Sequence, residues 1–312
     1  MTGGIFNRVA IVGGTGSLGT YIVNALLSES NIPITIIGRA GSEASPPEDS
    51  RVSLKRGDYD SQEFLQETLR GHDVVVCTLG LAAPPTILNS IHQAAGAVGV
   101  KWIVPQGWGS DFQNDGLTQR IPPMQAARAS RTAIVNEGMS YTGFITNPWL
   151  DWNIKSGNFS IDVKARQATI YTGSVDKFNV TTLAQVGRAV ARFLMQGSEQ
   201  TNSTFRAEDY RNKEIYIKSF LVSQQDLLDS VQRVTNTTPE DWKVTKRDVQ
   251  EYMDEGTSLM QQGDFMNGLF KVLFACLYTP GLGGNYDDKV ANNALGLPQE
   301  ELDEEIKKAV EA

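Results

Sequence analysis

The fold of this chain is decided near its start, by the stretch Val9-Ala10-Ile11-Val12-Gly13-Gly14-Thr15-Gly16-Ser17-Leu18-Gly19. The first four residues are apolar and mostly β-branched, which predicts a buried strand, and the amphipathic run from Ser17 to Leu27 predicts a helix. Gly14, Gly16 and Gly19 have the spacing G-x-G-x-x-G between these two elements. Such glycines permit a tight turn and a close approach of the backbone to a pyrophosphate, whose charge the helix N-terminus stabilises. The stretch from Gly13 to Gly19 therefore predicts a dinucleotide site.

A second signal, one strand further on, concerns the choice of dinucleotide. The apolar run Ile34-Thr35-Ile36-Ile37 ends in Gly38-Arg39. An acidic residue at this strand end would bind the ribose 2′-hydroxyl of NAD(H), whereas an arginine suits the 2′-phosphate of NADP(H). Arg39 thus predicts NADP(H), the alternative being that it is a solvated loop residue.

Further candidates for cofactor binding follow the later strands. Asp58 comes after the third strand, where a carboxylate can meet an adenine amino group or can instead cap the next helix. Thr78, Leu79 and Gly80 close the fourth strand, at the carboxyl edge where open α/β sheets bind ligands. Gln106, in the loop after the fifth strand, completes the predicted cofactor set.

Composition narrows the class of protein. The chain has 312 residues, 40% of them hydrophobic, and a formal net charge of −8, which argues against a nucleic-acid surface. No apolar run reaches the roughly 18 residues of a membrane span, and no leader precedes the first strand, so we expect a cytoplasmic protein without membrane attachment. Cys77 and Cys276 lie far apart in apolar contexts, which predicts buried free thiols, and no Cys/His cluster predicts a metal site.

Alternating apolar runs predict a Rossmann-like, doubly wound parallel sheet. The expected strands lie near 8–13, 33–38, 52–56, 73–79, 101–105 and 141–146, and the expected helices near 17–28, 61–70, 85–98 and 123–138. Beyond Pro148 the pattern changes to a hairpin from Phe159 to Tyr171, a strand at Ile215–Ile217 and several helices, one of them from Lys246 to Gln261. We therefore expect a cofactor domain over residues 1–150 and a smaller α+β substrate lobe over 151–312.

Taken in order, these stretches resemble the NmrA-like and isoflavone-reductase-like branch of the atypical short-chain dehydrogenases. The stretches that carry the resemblance are Gly13–Gly19, Arg39, Gly57-Asp58, Thr78-Leu79-Gly80, Lys101-Trp102-Ile103-Val104-Pro105, Asn136–Thr142, Phe178–Leu194 and Trp242-Lys243-Val244. The resemblance implies an NADPH-dependent reductase of small aromatic or polyketide-derived metabolites. Both a monomer and a homo-oligomer are compatible with this resemblance.

The chain departs from this family at the position of its proton-transferring lysine. Counting back from Tyr141-Thr142 places that position at Ala127, with Arg128 beside it. Alanine cannot move a proton, and arginine stays protonated, so Arg128 can stabilise an oxyanion or hold an anionic substrate. A tyrosine with a lysine four residues later, as ordinary short-chain dehydrogenases have, is also absent from the sequence.

Other groups must then carry the chemistry. Asp111, after the fifth strand, is the first candidate acid, and Asp151, just past the sixth, is the second. Trp108, Trp149 and Trp152 are candidates for an aromatic wall of the substrate pocket, although large aromatics often belong to a core.

Three functions remain open at this point. The first is an NADPH-dependent reduction of a carbonyl, an activated C=C bond or an aryl ether. The second is a redox-neutral isomerase, dehydratase or cyclase on the same pocket, and the third is an NADP(H)-sensing regulator without turnover. The missing lysine favours the second and third, whereas the tryptophan-rich stretch after the sixth strand favours a small-molecule pocket.

Overall fold

The computed structural model describes residues 5–80, 83–173, 177–196 and 205–311, so the outer ends of the two expected domains lie outside it. The strands in these ranges are β1 (Val9–Val12), β2 (Ile34–Arg39), β3 (Val52–Gly57), β4 (Val74–Cys77), β5 (Trp102–Val104), β6 (Ser140–Ile145), β7 (Ile161–Asp162), β8 (Gln167–Thr172), β9 (Phe178–Val180), β10 (Lys213–Tyr216), β11 (Phe220–Val222) and β12 (Lys243–Asp248). The helices are α1 (Ser17–Glu29), α2 (Gln62–Leu69), α3 (Pro85–Ala97), α4 (Asp115–Arg120), α5 (Pro122–Asn136), α6 (Leu150–Ser156), α7 (Leu183–Leu194), α8 (Gln224–Val234), α9 (Val249–Gln261), α10 (Phe265–Tyr278) and α11 (Leu302–Glu311).

The main sheet has the strand order β10-β6-β5-β4-β1-β2-β3, and every neighbouring pair is parallel. The chain runs outward from β1 through β2 to β3 and then returns to β4 on the other side of β1. This reversal opens a cleft at the carboxyl ends of β1 and β4, where folds of this kind bind ligands. The Rossmann-like fold predicted from the sequence is confirmed.

Both faces of the sheet are covered, which explains why its central strands β1 and β4 are continuous apolar runs. Val9 and Ile11 of β1 face the core under α1 and α7, whereas Ala10 and Val12 face the core under α2, α3 and α5. Gly187 lets α7 approach α1 closely, because a Cβ there would lie 2.6 Å from the carbonyl oxygen of Tyr21.

A second core lies between α6, α8, α9, α10, α11 and a three-stranded sheet with the order β12-β8-β7. The sheet includes the predicted hairpin, since β7 pairs antiparallel with β8. One prediction here is wrong: the residues from Lys246 to Asp248 belong to β12, and the helix begins only at Val249. The reason is tertiary pairing of β12 with β8, together with the Asp248 side chain, which caps the helix by accepting from two backbone N–H groups.

The chain returns to the first core after leaving it. Helix α7 packs on α1, and β10 adds a parallel edge strand beside β6. The division into a cofactor domain over 1–150 and a substrate lobe over 151–312 stays a prediction. In the described ranges no helix has the length and hydropathy to cross a bilayer, and no three His, Cys, Asp or Glu side chains lie together as metal ligands would.

Candidate functional site

The turn between β1 and α1 is shaped by the absence of side chains. Gly13 has a φ of +84°, and the Gly16 N–H donates to its carbonyl oxygen at 2.9 Å. A Cβ on Gly19 would lie 2.3 Å from that same oxygen, so only glycine allows α1 to start this close to the turn. The first turn of α1 holds no acidic residue and no side-chain cap. Its N–H groups can therefore receive a phosphate.

Arg39 lies at the same edge of the sheet, one strand away. The backbone N–H of Gly13 donates to Ile37 of β2, and Arg39 ends that strand with its side chain exposed. Asp58, just past β3, is also exposed and accepts from the Asp60 N–H at 2.9 Å, while Ser61 caps α2. The structure thus brings the glycine turn, Arg39 and Asp58 to the carboxyl ends of three neighbouring strands.

The end of β4 closes the other side of the cleft. The Thr78 hydroxyl donates to the Val12 carbonyl at 2.9 Å, and the Gln106 side-chain amide donates to the Leu79 carbonyl at 2.7 Å. Gly80 has open space around its Cα, because a Cβ there would meet nothing within 4 Å. These contacts tie the strand ends on both sides of the cleft to one another.

The segment Gln106–Asp111 follows β5, and we call it the β5 loop. Its Trp108 donates an indole N–H to the Cys77 carbonyl at 2.9 Å and stacks on Phe144 at 5.8 Å. Trp149, at the start of α6, packs against the same core, and its buried indole N–H has no partner among the described residues. Trp152 is 40% exposed and lies against Phe270 instead. The expected wall of three tryptophans is thus divided between two places.

Asp111 is buried, and its Oδ1 accepts two hydrogen bonds. One comes from the Gln113 N–H at 3.0 Å and the other from the Tyr216 hydroxyl at 3.1 Å. Burial and the adjacent Asp111 carboxylate raise the pKa of Tyr216 above its ordinary value, so this hydroxyl keeps its proton. The ammonium of Lys289 lies 5.2 Å from the centre of the Tyr216 ring. Asp111 is thus held in place by the end of β10.

Arg128 and Asp151 are engaged in contacts that support the fold. The Arg128 guanidinium donates to the carbonyls of Phe112 and Gln113 and pairs with Asp115 at 2.7 Å. Asp151 accepts from the first N–H of α7, at Leu183, and burial raises the pKa of its carboxyl group. Their catalytic roles stay predictions.

Ala127, where the resemblance places a lysine, lies in a small apolar cluster. The cluster is formed by Phe112, Ile145 and Tyr286, and Tyr216 packs against it as well. Ala127 thus has apolar surroundings, and the Tyr216–Asp111 hydrogen bond lies beside them.

A family profile described as NAD(P)H-binding matches residues 13–194, more than half of the chain. The chain belongs to the NAD(P)H-binding family. The glycine turn, Arg39 and the ends of β4 and β5 all fall inside the matched range.

Several known proteins are similar to this chain over most of their length. Oxidoreductase aprR of Aspergillus flavus is 29% identical over 307 residues, which cover 96% of this chain and 97% of that protein. The isoflavone reductase homolog IRL of Zea mays is 25% identical over 248 residues, covering 74% and 75%. The solved structure of AtPrR2 with NADP+ and (+)pinoresinol superposes with a TM-score of 0.75 at 19% identity, covering 97% and 98%. The isoflavone-reductase-like family, the nicotinamide cofactor and the oxidoreductase class expected from the sequence are confirmed.

Sequence reasoning missed a buried ion pair beside the site. Arg131 of α5 and Glu214 of β10 are joined at 3.1 Å, and their side chains are 4% and 2% exposed. The two residues are 83 positions apart. The one available signal was a carboxylate directly before the apolar run Ile215-Tyr216-Ile217, which gives no indication of its partner.

His92 of α3 is a further buried polar group. Neither ring nitrogen has a hydrogen-bond partner among the described residues. Burial, with the nearby Arg131 charge, lowers the pKa of His92 to about 4. The folded protein therefore holds a neutral imidazole here.

We expect His92 to make folding sensitive to mild acid. Between pH 6.5 and 4 the unfolded chain binds a proton at His92 and the folded protein does not, so the free energy of unfolding falls by roughly 3 kcal/mol as the pH is lowered. Urea denaturation of the wild type and of His92→Leu at several pH values gives the difference in their free energies of unfolding. The protonation of carboxylates contributes equally to both proteins and cancels in this difference. A stability difference that stays constant from pH 7 to pH 4 would contradict it.

Proposed function

We propose that this protein is an NADPH-dependent reductase of a small aromatic or polyketide-type metabolite. The observation that carries the proposal is the placement of Arg39 beside the glycine turn, at the carboxyl ends of adjacent strands. The turn fits a pyrophosphate because a Cβ at Gly19 would fill it, and Arg39 fits a third phosphate on the adenosine ribose. Bound NADPH supplies the hydride, and the chain binds and orients the reactants.

The nature of the substrate is inferred from the groups around the β5 loop. Trp108 and Trp149 contribute half-buried aromatic surface, and Ala127 lies in an apolar cluster. Such a lining favours a flat aromatic molecule with few polar groups. The similarity to a maize isoflavone reductase homolog supports this class of substrate.

Asp111 is the proposed proton donor. In the reduction of a carbonyl or an activated C=C bond, hydride addition leaves negative charge on oxygen or carbon, which a nearby acid must quench. The Tyr216 hydroxyl holds Oδ1 of Asp111, and no described residue donates to Oδ2. We assign the proton transfer to that oxygen, which carries the proton when the Asp111 carboxyl group is in its neutral form.

A redox-neutral reaction on the same pocket is the second candidate. The observation that favours it is Ala127, because the resemblance places a proton-transferring lysine there. An enzyme that catalyses such a reaction would bind the cofactor but would not consume it.

The experiment is an incubation of the purified protein with NADPH and a panel of phenolic ketones and enones. Nicotinamide absorbance and product mass are followed together. Consumption of NADPH with a product two hydrogens heavier supports the reductase. Product without NADPH consumption supports the redox-neutral enzyme, and cofactor binding without any product points to a sensor.

Asp111→Asn is expected to lower kcat by roughly 100-fold or more, because the amide cannot donate the proton that general acid catalysis requires. The dissociation constant of NADPH should change less than threefold, since Asp111 is not among the proposed cofactor contacts. Steady-state kinetics and calorimetry measure the two effects. Asp115→Asn is the matched control in the same region, with its side chain 78% exposed, and should keep its turnover. Full turnover in Asp111→Asn would remove Asp111 as the acid.

A further inference from the structure

The Arg131–Glu214 pair is built into the sheet next to the proposed site. Glu214 points from β10 toward β6, where Gly143 leaves room for it. A Cβ on Gly143 would lie 1.8 Å from Oε2 of Glu214 and 2.9 Å from Nη2 of Arg131. Three elements, α5, β6 and β10, thus meet around one guanidinium–carboxylate contact.

From this contact the guanidinium reaches the β5 loop. Nη1 of Arg131 donates to the Gln106 carbonyl at 2.6 Å, and its carbon lies 4.2 Å from the centre of the Phe112 ring. Gly107 has a φ of +127°, and a Cβ there would come within 3.0 Å of Nη1. Arg131 therefore contacts the start of the β5 loop and the residue directly after its end.

Stability alone does not explain such a pair. Buried ion pairs of this kind are often no more stabilising than apolar residues of similar volume. Here Nη2 of Arg131 and Oε2 of Glu214 also lack hydrogen-bond partners among the described residues. An arginine does supply one thing that an apolar residue cannot, namely a planar set of donors in a fixed direction.

The β5 loop carries three of the proposed functional side chains. Gln106 donates to the end of β4, Trp108 donates to the Cys77 carbonyl, and Asp111 meets Tyr216. All three depend on where the loop backbone lies. We propose that the Arg131–Glu214 pair is a positioning device that holds the β5 loop at the carboxyl edge of the sheet. The effect of the Arg131–Glu214 pair on turnover rests on the proposed function, whereas its effect on the position of the β5 loop does not.

The test compares Arg131→Met with the double variant Arg131→Met/Glu214→Leu. The single variant leaves a buried carboxylate without a partner and should lower the melting temperature. The double variant replaces the pair by apolar side chains and should recover most of that loss. Amide hydrogen exchange of residues 106–111, without cofactor, should nevertheless stay roughly tenfold faster than in the wild type, because the bond to the Gln106 carbonyl is still missing. With substrate and NADPH, kcat should fall by a similar factor while KM for NADPH changes less.

Two further variants keep the result interpretable. Arg131→Lys can pair with Glu214 but lacks the planar fork, so its loop exchange should also rise even if the double variant does not fold. Arg192→Met/Glu29→Leu removes a pair at 2.5 Å between α7 and α1, with side chains 14% and 18% exposed, and should leave exchange in the β5 loop unchanged. Wild-type exchange in the loop of a folded double variant, or of Arg131→Lys, would overturn the inference. A wild type that binds no NADPH would overturn the proposed function but leave the exchange comparison decisive.

Discussion

Gly19→Ala is expected to abolish binding of NADP(H) and to lower the free energy of unfolding by about 3 kcal/mol, at the upper end of the usual cost of overpacking. The added methyl group would lie 2.3 Å from the Gly13 carbonyl oxygen and 2.6 Å from the Gly14 Cα. Both contacts are with backbone, which cannot rotate away as a side chain would. Relief therefore requires α1 to move from the turn, which removes the N–H groups from the phosphates. Calorimetry with NADPH and urea titration measure the two losses.

The control for this prediction is Gly41→Ala. Gly41 lies in the polar loop after β2, and a Cβ there would meet nothing within 4 Å. We expect unchanged cofactor affinity and stability for this variant. If Gly19→Ala bound NADPH as the wild type does, the assignment of the β1–α1 turn as the phosphate site would be wrong.

Arg39→Ala is expected to raise the dissociation constant of NADPH by roughly 100-fold, the upper range for loss of a charged hydrogen-bond partner. The dissociation constant of NADH should change less than threefold, because that nucleotide has no 2′-phosphate. Paired calorimetric titrations with the two nucleotides give the ratio. An equal change in both would show that Arg39 does not contact the 2′-phosphate.

Other cations of this region serve as controls for Arg39. Arg56 donates to the Ala44 carbonyl at 2.9 Å, and Arg51 forms an ion pair with Asp49 at 2.6 Å. Arg56→Ala should therefore lower NADPH affinity much less than Arg39→Ala. If Arg56→Ala lowered NADPH affinity more than Arg39→Ala, the 2′-phosphate site would have to be assigned to the end of β3 instead of β2.

The proposed cofactor site has local signals in the sequence. The strand, the glycine turn and the helix that form the cradle are contiguous in the chain, and Arg39 ends the next strand. The catalytic half was harder, because counting along the chain selected Arg128 as the neighbour of Ala127. In the helix, the residue on the same face as Ala127 is Arg131, whose Nη1 also donates to the Ala127 carbonyl at 3.2 Å. Arg128 instead holds the carbonyls of Phe112 and Gln113.

Spacing and periodicity along the chain were thus enough for the Rossmann-like fold, the glycine turn between β1 and α1 and the position of Arg39 at the end of β2, because each depends on residues close together in sequence. The pairing of Arg131 with Glu214, the contact of Tyr216 with Asp111 and the strand at Lys246–Asp248 each depend on an element that arrives from far along the chain. The packing of apolar faces into two cores decides which distant elements become neighbours. The polar residues that meet as a result show no spacing pattern in the sequence that would identify their partners.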